Sequence, residues 1–221
     1  MALTNLPFVS DRWKSWLPWI FAGVMALTRW PGLLPPNFSA VYALMFCAGV
    51  FFPGSNGWRL PIFLLLATDL GLNAYYQFAR GINVLTPGLL LYLAGNYLGY
   101  GLLFGLGRCF PPRANFLGLL AGGILGAIAF YFVTNTAAWL LNPFSNPEYS
   151  RDIAGWLRAL TFGTHGHPPT WEFFRNTLLS GGLFTALFAG AAQSGSAESP
   201  VEKGEETEPS SAPESGEAPA S

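Results

Sequence analysis

The stretch Leu60-Pro-Ile-Phe-Leu-Leu-Leu-Ala-Thr-Asp-Leu-Gly-Leu-Asn73 decides how this chain is read. It is a helix-length apolar run broken by one carboxylate, Asp69, the only acidic residue inside any of the chain's long apolar runs. Length and apolarity point to a helix that crosses a bilayer. An ionised side chain at the centre of hydrocarbon costs about 2.5–3.5 kcal/mol on insertion scales, so such a group faces a polar interior, a partner or a ligand.

Working outward, the whole chain shares the character of that run. Over 221 residues it is 51% hydrophobic and 10% charged, with a mean hydropathy of +0.35, too apolar for an ordinary soluble domain. These values predict an all-α, polytopic transmembrane bundle whose first partner is the lipid bilayer. The net charge of -1 hides two unlike parts. Residues 1–192 carry ten Lys/Arg and five Asp/Glu, whereas residues 193–221 carry one Lys and seven Glu. Cys47 and Cys109 stand in different apolar regions without a C-x-x-C pairing, which indicates packing residues rather than a disulfide or thiolate site. The first apolar run follows Asp11, Arg12 and Lys14, is as long as a full span, and lacks an A-x-A cleavage site, which favours a retained helix over a cleaved signal.

Apolar runs near the ~20 residues needed to cross hydrocarbon place six helices at 16–34, 38–53, 60–77, 85–107, 116–141 and 171–192. Residues 1–15 form a short N-terminal segment, and 16–192 the transmembrane domain. The connection 142–170 includes an amphipathic stretch with Ile153, Trp156, Leu157 and Leu160 on one face, read as an interfacial helix or a lid. From 193 onward the Ser, Glu, Pro, Gly and Ala composition predicts a disordered acidic tail. All eight tryptophans fall near a helix end or in a connection, where their amphipathic rings favour the membrane interface. Six spans put both termini on one side, and Arg108 and Arg113 beside the basic N-terminus assign that side to the cytoplasm.

Small residues mark helix contacts. Gly118, Gly122 and Gly126 recur at four-residue spacing, as do Gly95 with Gly99 and Gly101 with Gly105, and Ala22 and Ala26 repeat the spacing on the first helix. Walker, zincin and serine-hydrolase patterns are absent, as is a basic nucleic-acid patch, so the chain is read as neither an enzyme nor a nucleic-acid binder. No cofactor is indicated. His165 and His167 are the only histidines, and two imidazoles without a third ligand such as Asp152 or Glu172 describe a solvated loop better than a metal site.

Polar residues near the spans gather at the outer side. Asp69 and Asn73 are four apart with Tyr76 a turn further, Thr134-Asn135-Thr136 and Trp139 end the fifth helix, and Arg175 and Asn176 open the sixth. Asn37 adds to the same level. Two readings stand side by side: a capture site for a small solute, with apolar walls and a few placed polar groups, or interhelical links in which Asp69 pairs with Arg175 or Arg80. A proton relay through Asp69 is a third.

On Asn37-Phe38-Ser39, Asp69, Thr134-Asn135-Thr136-Ala-Ala-Trp139 and Phe173-Phe174-Arg175-Asn176-Thr177, the chain resembles a broad family of bacterial six-helix membrane proteins similar to the substrate-capture (S) components of energy-coupling factor transporters. The resemblance covers about residues 16–192. It implies a multi-pass protein of a bacterial inner membrane that binds a vitamin or similar micronutrient at its outer face. It also implies a separate transmembrane coupling subunit and two ATPases as partners, with Ala22-Gly-Val-Met-Ala26 matching the small-residue pattern where that subunit docks. The alternative is a structural or scaffolding membrane protein whose acidic tail recruits a partner.

Overall fold

The computed structural model of the chain describes residues 12–197 apart from 53, 55 and 56. Among these, every regular element is helical: α1 Arg12–Thr28, α2 Val41–Phe51, α3 Arg59–Ala74, α4 Pro87–Arg108, α5 Phe116–Leu141, α6 Ile153–Thr161 and α7 Thr170–Ala197. A π-helical turn, Tyr75–Ala79, continues α3. Two of the helices, α4 and α5, are long and apolar enough to cross a membrane.

Local chemistry explains most of the boundaries. The Thr86 hydroxyl accepts the Leu89 N–H at 3.2 Å with Pro87 at the first helical position, which starts α4. Asn115 accepts the Gly118 N–H at 2.6 Å to start α5, and Asn142, left-handed at φ 39°, ends it. Where α1 was expected to reach residue 34, it stops at Thr28. Pro31 disfavours a helical Trp30, and Gly32 sits at φ +80°, so the chain turns before the apolar run is exhausted. At the other end α7 runs on to Ala197, so residues 193–197, expected in the tail, are helical. Gln193 donates to the Ala114 carbonyl at 2.8 Å and ties that last stretch to the α4–α5 turn. The first 11 residues and the tail from 198 lie outside the described residues.

The centre is α2. Its sequence is apolar on all sides, and a helix of that kind has no face to turn to water. Ten of its residues, Val41 to Val50 in order, are buried, and it packs against α1, α3, α4, α5 and α7. It meets α4 backbone to backbone. A Cβ built on Gly49 would collide with the Phe104 carbonyl and one on Gly107 with the Phe46 carbonyl, so neither residue has room for a side chain. On α5, Gly122 faces Phe46 and Phe110, Gly126 faces Leu103, and Gly123 takes Thr185 of α7. Gly118 meets only the capping Asn115, while Gly101 and Gly105 face open space. Sequence spacing alone did not separate these contacting glycines from the open ones.

Two ends are defined by cross-links. At one, Asn176 of α7 donates to the Pro36 carbonyl at 2.9 Å and Tyr92 of α4 lies 5.9 Å from Phe144. At the other, Arg108 donates to the Gly54 carbonyl at 2.6 Å and Gln193 holds Ala114. The first end is stepped. The Tyr131 ring lies 4.5 Å from Phe174, two residues from Asn176, so the α1–α2 connection sits near the level of Tyr131. From there α5 continues about ten residues, ~15 Å, to Leu141, and α4 begins at the same height with Gly88 against Pro143.

Gly107→Val is expected to abolish the α2–α4 contact, because the obstructing atoms are backbone and cannot rotate away, at a cost of about 3 kcal/mol or more. Gly101→Ala, in open space within α4, is expected to be tolerated or to stabilise by up to about 1 kcal/mol. Thermal denaturation of the two detergent-solubilised variants checks the contrast.

Candidate functional site

Asp69 is the eleventh of the 21 residues that run from Arg59 through the π turn to Ala79, so it stands midway along the element. It is buried, with 9% of its surface exposed. Its partner is Arg29, the first residue after α1, whose Nη2 donates to Oδ1. The second carboxylate oxygen accepts the Tyr97 hydroxyl of α4 at 2.8 Å. Arg29 Nη1 points at the Tyr100 hydroxyl at 3.4 Å, and its Nε is buried without an acceptor among the described residues. Tyr100 stacks on Phe130 of α5 with 4.9 Å between centroids, and Tyr42 of α2 packs the same ring at 4.9 Å. Five segments therefore meet around one ion pair.

Arg175 and Arg80, expected as partners of Asp69, lie elsewhere. Arg175 is exposed and lies over the Trp171 ring at 5.7 Å, and Arg80 is exposed beyond the π turn. Arg29 reaches Asp69 because α1 ends early, which frees the residue to turn inward. The sequence carried a signal for it, a lone cation within the first apolar run, and Tyr97 with Tyr100 share a helical face one turn apart. Asn73 is half-buried one turn beyond Asp69. Tyr76, inside the π turn, is 38% exposed and packs edge-on against Tyr75.

The remaining expected residues are distributed over two connections. Asn176 is buried and holds Pro36, next to Asn37, which is exposed at φ +60°. Thr28 Oγ1 accepts the Ala40 N–H at 3.0 Å and Ser39 Oγ the Val41 N–H at 3.3 Å, so the 29–40 backbone is tied at both sides. Asn135 donates to its own helix at the Tyr131 carbonyl, 2.9 Å away. Trp139 donates to the Ser150 carbonyl at 2.7 Å, Trp156 to Thr136 Oγ1 at 3.0 Å, and Tyr131 to the Leu160 carbonyl. These three bonds lay α6 antiparallel along the last turns of α5. Leu160 and Ala159 turn inward, whereas Ile153, expected on the same face as Leu160, is 73% exposed. Ala22 is buried and Ala26 exposed, so the two do not share one surface.

His165 and His167 are exposed, and among the described residues no three His, Cys, Asp or Glu side chains form a group able to hold a metal. Two carboxylates organise this connection. Asp152 caps α6, accepting the Gly155 N–H at 2.8 Å and the Ser150 hydroxyl at 2.7 Å. Glu148 accepts the His165 N–H at 3.1 Å. These bonds favour the ionised forms and hold both groups below the usual carboxylate range, led by the Gly155 N–H for Asp152 and the His165 N–H for Glu148. Their contribution is therefore complete above the unfolded value of about 4 and is lost as pH falls through the lower folded values.

Two outcomes follow. Asp69→Leu and Arg29→Leu are each expected to destabilise by about 3 kcal/mol, because each strands a buried charge, while the double variant recovers much of that loss; a double-mutant cycle in chemical denaturation measures it. Acidification below about pH 4 is expected to loosen residues 142–170, α6 included, before the longer helices. Asp152→Asn, which still caps, removes its share of that pH dependence in hydrogen exchange corrected for intrinsic rate.

No curated protein and no solved structure matches the chain. A family model matches residues 10–201, and over that stretch the chain belongs to DUF6580, a family of unknown function.

Proposed function

We propose that the chain is a multi-pass membrane protein that captures a small solute at its stepped end, in the manner of a substrate-binding subunit for micronutrient uptake. The observation that carries this reading is the depth of the α1–α2 connection, about ten residues below the end of α5. Non-helical backbone at membrane depth is tolerated only where protein buries it or where it lines a water-filled cavity. Asn37 and Pro36 are exposed there, so the wet alternative applies. α4 and α5 extend beyond that level, and α6 packs against α5 and α7.

The membrane frame rests on further features. The run from Arg59 to Ala79 measures ~30 Å, the thickness of hydrocarbon, and is bracketed by Arg59 and Arg80. Phe63, Leu66, Leu70 and Phe78 are exposed along it, and a bilayer accounts for such a surface where water does not. Trp16 and Trp19 are exposed near the start of α1, as interface anchors. Arg59, Arg108 and Arg113 at the unstepped end support a cytoplasmic placement of that end, with the step outside. Capture alone does not drive uptake, so a coupling subunit and ATPases complete the scheme.

Mass spectrometry of small molecules released from the purified protein is the direct test. A retained solute whose occupancy falls at least tenfold in Asn37→Ala or Arg175→Ala supports capture. A protein that retains nothing, and whose melting temperature is unmoved by a panel of vitamins, refutes it. Loss of function on deleting residues 198–221 from such a protein would instead favour a scaffold that works through its tail.

A further inference from the structure

We propose that the concavity on the outward side of α6 binds a small zwitterion, a molecule carrying an amine cation and a carboxylate or phosphate anion on a short apolar stem. The concavity measures ≈ 340 Å³, and Glu148, Ser150, Ala154, Leu157, Arg158 and Phe162 are among its lining residues. That volume is in the range of small-molecule sites. It exists because the 142–150 segment runs beside α6, held there by the Trp139–Ser150 bond and the Asp152 cap.

Its two charged groups are held in place by backbone. The His165 N–H fixes Glu148 Oε1 and the Glu148 N–H also bonds the carboxylate, which keeps lone pairs for a cation. Arg158 donates Nε to the Gly163 carbonyl at 3.1 Å, leaving both Nη groups for an anion. Both line one concavity without a salt bridge between them, and the charge of Arg158 helps to hold Glu148 ionised. Opposite charges, each anchored to backbone by one hydrogen bond on the same concavity, keep hydrogen-bonding capacity for a guest of the reverse polarity. Ala154, Leu157 and Phe162 supply an apolar wall, with Leu157 49% and Phe162 66% exposed. The site shares no residue with the step above the α1–α2 connection, so it does not depend on the capture reading.

Isothermal titration of the full chain in phospholipid-free detergent tests the proposal, with L-leucine and glycerophosphoethanolamine as zwitterions and isoamylamine and 4-methylvalerate as single-charge controls. At least one zwitterion is expected to bind tenfold or more tightly than either control. Glu148→Gln keeps the oxygen that His165 holds, so the fold is retained, and Arg158→Gln removes the anion contact; each is expected to weaken binding at least tenfold. Preference for leucine identifies a free solute, and preference for glycerophosphoethanolamine identifies a lipid headgroup. No zwitterion binding, or binding unchanged in both variants, overturns the proposal.

Discussion

The shortness of α2 is the constraint on which the rest depends. Eleven residues rise ~16 Å, about half the thickness of hydrocarbon. A helix this short and apolar on every side has to be enclosed, and the irregular chain entering it has to have its buried backbone groups paired. The surrounding sequence answers that need group by group. Thr28 and Ser39 accept the Ala40 and Val41 N–H groups, Asn176 donates to Pro36, and Phe38 closes a turn onto the Pro35 carbonyl at 3.0 Å. Gly49 and Gly107 then let α2 lie directly on α4, where the two backbones gain close dispersion contact.

The ion pair follows from the same geometry. Because α1 ends at Thr28, Arg29 sits at the first position free of the helix and bends toward α3. Asp69, midway along its element, is then neutralised by a guanidinium from one side and hydrogen-bonded by Tyr97 from the other. The result is an interior in which carboxylate, guanidinium and phenols sit among stacked aromatic rings, at the depth of the irregular connection. A polar centre and an irregular backbone at one level are what link the electrostatics of this chain to the proposed capture end.

Much of the helical layout is legible in the sequence. The expected 116–141 helix coincides residue for residue with α5, because Asn115 and Asn142 bracket an uninterrupted apolar run. The expected 85–107 helix differs from α4 by two residues at one end and one at the other. The first helix was over-extended because the apolar pattern continues past Pro31, and the backbone restriction outweighs hydropathy there. Asp69 was recognisable as a buried charge, but its partner was not: Arg29 and Arg175 have similar local contexts, and only the packing of α1 against α3 chooses between them. On α6 the periodicity was amphipathic, yet which apolar side faces inward depends on where Tyr131, Thr136 and Trp139 extend their polar tips. Such choices lie in contacts between distant segments, beyond the reach of local pattern.

The marginal position of α3 has a consequence for cooperativity. It packs against α1 and α2 but not broadly against α4, α5 or α7, which form the thick side of the molecule with α2. Proteins open in cooperative units whose free energies follow their buried contacts, and elements with few such contacts open first. By that measure α3 is a unit of its own, latched to the remainder by Arg29 and Tyr97. Its release would expose a carboxylate without unravelling α2, so among the described helices the one most sparsely packed against the others is also the one that covers the buried ion pair.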